Sequence, residues 1–92
     1  MKIDFDPAKS KKNALERGLP FELIEAFEWA SALLVEDERK RYAERRFQAL
    51  GYIADRLHMM VFTPTPGGIR VISLRKANTR EVRRHEKAQD HP

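Results

Sequence analysis

Residues 57–76 read Leu57-His58-Met59-Met60-Val61-Phe62, then Thr63-Pro64-Thr65-Pro66-Gly67-Gly68, then Ile69-Arg70-Val71-Ile72-Ser73-Leu74-Arg75-Lys76, and this stretch decides the fold. The first run is apolar on both faces except at His58. That is the pattern of a central strand covered on both sides. The Pro/Gly run that follows cannot continue a strand and is expected to form a hairpin loop. Ile69 to Arg75 then returns as the last strand. Strict alternation would put Arg70, Ile72 and Leu74 on one face and Val71, Ser73 and Arg75 on the other.

Upstream, Arg45 to Ile53 reads as another strand, joined to the central one by a tight turn at Ala54-Asp55. If Tyr42, Glu44 and Arg46 are extended, they share a face. Ala32 to Val35 is a further strand, and Glu36 to Arg41 a charged loop whose consecutive acids read as solvated surface. Lys2-Ile3-Asp4-Phe5 alternates as a short strand. Asp6-Pro7 is a helix start, with Asp as cap and Pro at the first position. That helix is expected to end at Gly18, resting on a thin apolar face of Ala8, Ala14 and Leu15. A second helix is expected from Leu19-Pro20 to about Trp29. Phe21, Leu23, Ile24 and Phe27 line one side of it, and Glu22, Glu25 and Glu28 repeat every three residues on another. Asn78 or Thr79 caps a final helix reaching about Lys87. Helices followed by a meander of hairpins argue for a small α+β domain, with an antiparallel sheet packed against N-terminal helices and a C-terminal helix.

The chain of 92 residues has no cysteine, so neither disulfides nor cysteine–zinc sites staple it. No apolar run is long enough to span a bilayer and no signal-peptide core is visible, so a cytoplasmic protein without membrane contact is expected. Charge is segregated. Residues 1–68 hold 11 basic and 11 acidic groups, whereas residues 69–92 hold seven basic and three acidic. The net charge of +4 therefore arises in the last quarter, and Arg39 to Arg46 forms a second basic cluster. Such a field favours a polyanionic partner, RNA or DNA. His58, His85 and His91 lack metal-ligand spacing, there is no phosphate-cradling glycine loop, and neither a serine elbow nor a cysteine nucleophile is present. No metal or cofactor is expected.

Phe5-Asp6-Pro7-Ala8-Lys9, Asn13, Gly18, Tyr42-Ala43-Glu44-Arg45-Arg46, Gly51 and Arg70 to Asn78 followed by Glu81 together resemble the BrnT toxins of bacterial type II toxin–antitoxin systems. The resemblance covers about residues 2–87. It departs at Arg17, where the family often has histidine, and at His85, where it often has tyrosine. It implies a single RelE-like domain over 1–88, and the polar terminus at 89–92 is expected to be a disordered tail. It further implies metal-independent RNA cleavage that arrests translation and a cognate BrnA-like antitoxin that neutralises the toxin. Promoter DNA would be reached only through the toxin–antitoxin complex.

RNA supplies its own nucleophile, the 2′-hydroxyl, so such an enzyme needs charge and proton transfer more than a side-chain nucleophile. Arg46, Arg70, Arg75 and Lys76 are the candidates for the phosphates, with Arg41, Arg45 and Arg80 as further RNA contacts. Glu44, His85 and His58 are the candidates for proton transfer. The competing expectation is a non-catalytic nucleic-acid-binding or repressor-complex subunit on the same fold. A gyrase-directed toxin is a third.

Overall fold

A ten-residue strand, β4 (Arg56–Thr65), forms the centre of a five-stranded sheet in the computed structural model, which describes residues 1–90. It pairs antiparallel with β3 (Phe47–Ile53) on one side and β5 (Gly68–Lys76) on the other. The remaining strands are β1 (Lys2–Asp4) and β2 (Leu33–Glu36), and the sheet order is β1-β5-β4-β3-β2. Two α-helices, α1 (Pro7–Arg17) and α2 (Thr79–Gln89), complete the fold with a short 3-10 helix at Phe21–Ala26. This is the expected α+β architecture, with one amendment. β1 pairs parallel with β5, so the sheet is mixed.

The Pro/Gly run is less of a loop than its composition suggests. β4 continues through Pro64 to Thr65 and β5 restarts at Gly68, leaving Pro66-Gly67 as a two-residue turn. Gly67 has φ +76°, which suits the third position of a type II turn after proline. Pro64 is tolerated because β3 begins at Phe47, opposite Phe62. Beyond that pair no strand of the described residues lies on the β3 side of β4, and a missing N–H at Pro64 is no loss there.

A register shift between Val61 and Phe62 overturns the expected alternation of β5. Met60 faces Leu74 and Phe62 faces Val71, so Ile72 is an extra residue on the β5 side. Val71 and Leu74 thereby share one face, and Arg70, Ser73 and Arg75 share the other. Without the bulge Arg70 and Arg75 would lie on opposite faces.

The first face carries the main core. Ala49, Met60, Phe62, Val71 and Leu74 pack there against Phe21, Ile24 and Phe27. The last three recur every three residues, the repeat of a 3-10 helix, which replaces the expected α-helix over 19–29. Trp29 closes the cluster, edge-on to Phe27 at 4.9 Å and to Phe62 at 5.7 Å. Gly51 leaves room for the Phe27 ring directly above it.

α1 begins and ends as expected, with the Asp6 side chain accepting from the Ala8 N–H and Gly18 left-handed at φ +70°. Its anchoring differs. Leu15 is 81% exposed, and polar groups attach the helix instead. Asn13 Nδ2 donates to Leu19 O at 2.6 Å and to Leu74 O at 2.9 Å. Buried Ser10 accepts from the Phe21 N–H and donates to Glu22. The Asn13–Leu74 bond occupies the edge of β5 beyond Arg70, where β1 has ended.

The second face is covered at one end by α2. Leu50, Leu57, Met59 and Ala77 pack with Leu33, Tyr52 and Val82. Asn78 caps α2 in a reciprocal box with Glu81. The helix runs to Gln89, past the expected limit at Lys87, and Gln89 Nε2 donates to Ser31 O at 3.2 Å. The expected tail at 89–92 thus starts on helical backbone. Its last two residues, 91 and 92, and with them His91, lie outside the described residues. Among the described residues no helix is long and apolar enough to cross a membrane.

Candidate functional site

β3 begins at Phe47, so Arg45 and Arg46 belong to the loop that follows β2 and not to a strand. The expected extended run from Tyr42 to Arg46 is absent because Asp37 folds the loop back on itself. The Asp37 carboxylate is fully shielded from solvent. It accepts from the Arg39 N–H (3.2 Å), Arg39 Nε (2.8 Å), Arg39 Nη2 (2.7 Å) and the Tyr42 hydroxyl (3.2 Å). Its own N–H donates to Arg46 O at 2.7 Å, closing the loop's base. Arg39 and the other donors hold the carboxyl down at about 2, while burial works in the opposite direction. Asp37 is thus no solvated acid, in contrast to the expectation for Glu36-Asp37-Glu38.

The fold-back still brings Tyr42, Glu44 and Arg46 together. The Arg46 guanidinium carbon lies 4.3 Å from the centre of the Tyr42 ring, and its Nε and Nη2 donate to Glu44 Oε1 at 3.3 Å. Arg41 and Lys40 line the same concavity, about 600 Å³ in volume. Arg45 turns away. It forms a two-pronged pair with exposed Glu36 and sits 5.1 Å over Phe47, a first-face residue.

Arg75 is held at the start of α2. Its Nη1 and Nη2 donate to the two Glu81 oxygens, each at 2.8 Å. Glu81 Oε1 also accepts the Asn78 N–H at 3.0 Å. The pairing lowers the Glu81 carboxyl and raises the Arg75 guanidinium from their ordinary values. The Arg39 charge works weakly against the raised Arg75 guanidinium, far less than the Glu81 pair that raises it. Arg70, on the same sheet face, pairs with Asp4 at 2.7 Å across the β1–β5 ladder. Arg80 is exposed in the first turn of α2.

Three sequence candidates lie apart from this group. Lys76 follows Arg75 on the strand and so projects from the first face, opposite His58. His58 is 4% exposed, donates from Nδ1 to Arg56 O at 2.8 Å, and is pushed below its ordinary pKa by burial. His85 is 2% exposed, lies edge-on to Tyr52, and donates from Nε2 to Ser31 O at 2.8 Å. Its contacts fasten α2 to the turn before β2.

In the sequence Asp37 reads only as solvated surface, Arg39 only as part of the basic cluster, and Glu81 only within the family motif; none is given a site role there. Asp37-x-Arg39 is too short a signal to be read as an ion pair in a loop. Glu81 had a local signal, the Asn78-x-x-Glu81 capping box, but its hold on Arg75 depends on where β5 ends. Among the described residues, no three His, Asp or Glu side chains gather as metal ligands would.

Comparison with curated proteins gave no match, and comparison with solved structures gave none either. The sequence does match, over residues 5–81, the family described as the ribonuclease toxin BrnT of type II toxin–antitoxin systems. That span runs from before the α1 cap to Glu81, and it includes the Asp37 loop and the arginines of β5. BrnT toxins generally partner a cognate antitoxin. The chain belongs to the BrnT toxin family.

Proposed function

We propose that this protein is an endoribonuclease that cleaves RNA by attack of a 2′-hydroxyl on the adjacent phosphorus, without a metal ion, and so arrests translation. One observation carries the reading. Arg70 and Arg75 share a sheet face through the β5 bulge, and Arg80 stands exposed in the first turn of the helix that follows. Guanidinium groups from separate segments thus border one surface, as a phosphodiester gaining charge requires. Arg75 is pre-set by Glu81, so its orientation costs little side-chain entropy on binding. Glu81 is paired with Arg75 and Glu44 with Arg46, and each is a candidate acceptor for the 2′-hydroxyl proton. His58 and His85 are not carried into this mechanism, because both are buried and bonded to backbone carbonyls.

The cognate antitoxin, a BrnA-like protein, neutralises the toxin by covering this cationic surface. Promoter DNA is bound by the complex and not by the toxin alone. Purified protein incubated with RNA in EDTA tests the enzyme. Fragments accumulating at sub-stoichiometric protein, with loss of rate in Arg75→Ala, are expected. Intact RNA with salt-dependent retention overturns it. That outcome matches the binding-module reading, which is favoured by the carboxylate partner already present on each of Arg46, Arg70 and Arg75.

A further inference from the structure

The concavity of the Asp37 loop holds three features that the phosphate grip does not use. The first is a layered plane. The Arg46 guanidinium lies over the half-buried Tyr42 ring, and the Arg46 side chain keeps 30% of its surface accessible, which offers a flat group a place to stack. The second is an acceptor. Both Arg46 bonds go to Glu44 Oε1, and Glu44 Oε2 has no bond among the described residues. The third is a pair of cations, Lys40 and Arg41, on the same wall and outside any ion pair among the described residues. The volume of about 600 Å³ falls in the usual range for a small-molecule site, roughly 300–1,000 Å³.

We infer that this loop is a guanine-reading subsite for single-stranded RNA, with Glu44 as the residue that determines the base. The inference rests on the ribonuclease reading and leaves Glu81 as the carboxylate available for the proton. A base stacked on Arg46 forms the outer layer of a base–guanidinium–tyrosine pile, and stacking of this kind tolerates any base. Choice comes from the carboxylate, which only accepts. Guanine presents two adjacent donors on its pairing edge, N1–H and N2–H. Adenine and cytosine each set a donor beside an acceptor, and uracil sets one donor between two acceptors. Only guanine fills a carboxylate without turning a lone pair toward it, so the other bases are rejected as well as less well bound. Lys40 and Arg41 take the flanking phosphates. Asp37 is a positioning residue, since Tyr42 hangs from it by its hydroxyl.

The test is fluorescence anisotropy with 2′-deoxy hexanucleotides, which bind but cannot be cut, carrying guanine, hypoxanthine, 7-deazaguanine or adenine at one position. Guanine is expected to bind about tenfold more tightly than hypoxanthine, which lacks the 2-amino donor. 7-Deazaguanine, altered only on the other edge, is expected to match guanine. Glu44→Gln is expected to erase the preference, and Tyr42→Ala to weaken every strand alike. Glu44 is exposed, and an unchanged urea midpoint in Glu44→Gln shows that folding is intact. Equal affinity of the native protein for all four strands overturns the subsite, and so does a guanine preference that survives in Glu44→Gln. The all-ribose strand is assayed for cleavage in parallel. Cleavage without preference overturns the subsite alone. Preference without cleavage overturns the ribonuclease reading and upholds the subsite.

Discussion

Replacing Asp37 by asparagine removes one charge from the loop while keeping its shape. A carboxyl held at about 2 against an ordinary 3.8 corresponds to about 2 kcal/mol, at about 1.36 kcal/mol per pH unit. That is an upper bound. Arg39, its main partner, has a side chain 66% exposed, so water screens much of the attraction. About 1 kcal/mol is the expected cost of Asp37→Asn at pH 7, or a Tm lower by about 4–8 °C in a domain of this size. The folded-state value lies below the unfolded one, so the stabilisation is present above about pH 4. It is lost as pH falls through about 2, where the native carboxyl is itself protonated. Urea titrations of the parent and Asp37→Asn at pH 7, 5, 3 and 2 should therefore show a constant gap between the first two and a closing gap below. A gap that persists at pH 2, or no gap at pH 7, refutes the role assigned to this carboxylate.

Gly51→Ala is expected to destabilise by about 1–3 kcal/mol, because its new methyl would meet Phe27 Cε2 and Cε1 at only 2.8 and 2.9 Å. Adding Phe27→Leu should recover part of that loss, and a strictly additive double variant would count against the packing argument. Asn13→Ala leaves Leu19 O and Leu74 O without their donor and should lower stability by about 1–3 kcal/mol in urea, whereas Leu15→Ala should change it little. His58 is held below its ordinary value by burial, aided by the Arg56 and Lys76 charges and opposed by its bond to the Arg56 carbonyl. The unfolded chain therefore takes up this proton first as pH falls below about 6.5, and stability should decline from there. His58→Gln should flatten that part of the profile, and an unchanged slope would remove His58 as its source.

Where local pattern and tertiary context agree, the sequence was sufficient. The Asp6-Pro7 start, the Gly18 stop, the Ala54-Asp55 turn and the Asn78 cap each depend on a few adjacent residues, and each is found. The 3-10 helix was written in the three-residue spacing of both Phe21-Ile24-Phe27 and Glu22-Glu25-Glu28. That spacing was read as an ordinary amphipathic helix. Leu15 runs the other way, because an apolar residue expected on the buried face is exposed while Asn13 anchors the helix. No local signal reveals that Asn13 reaches a strand carbonyl 61 residues away. The bulge at Ile72 is equally silent, since apolar residues at 71, 72 and 74 fit either register. The candidate site inherits that ambiguity. Grouping Arg70 with Arg75, and separating Lys76 from both, required the register that only pairing with β4 supplies.

The parallel seating of β1 has a consequence for the order of assembly. Lys2 lies opposite Gly68, and its N–H donates to Gly67 O at 3.0 Å, so the opening segment has nowhere to rest until the β4–β5 turn exists. Pairings this distant in sequence close slowly, because the loop entropy must be met before any contact forms. β1 must wait for the β4–β5 hairpin, and the Asp4–Arg70 pair, 66 residues apart in sequence, closes only once both are in place. The edge of β5 that carries Arg70 is therefore completed late, and the sheet face it borders takes its final form only in the last step of assembly.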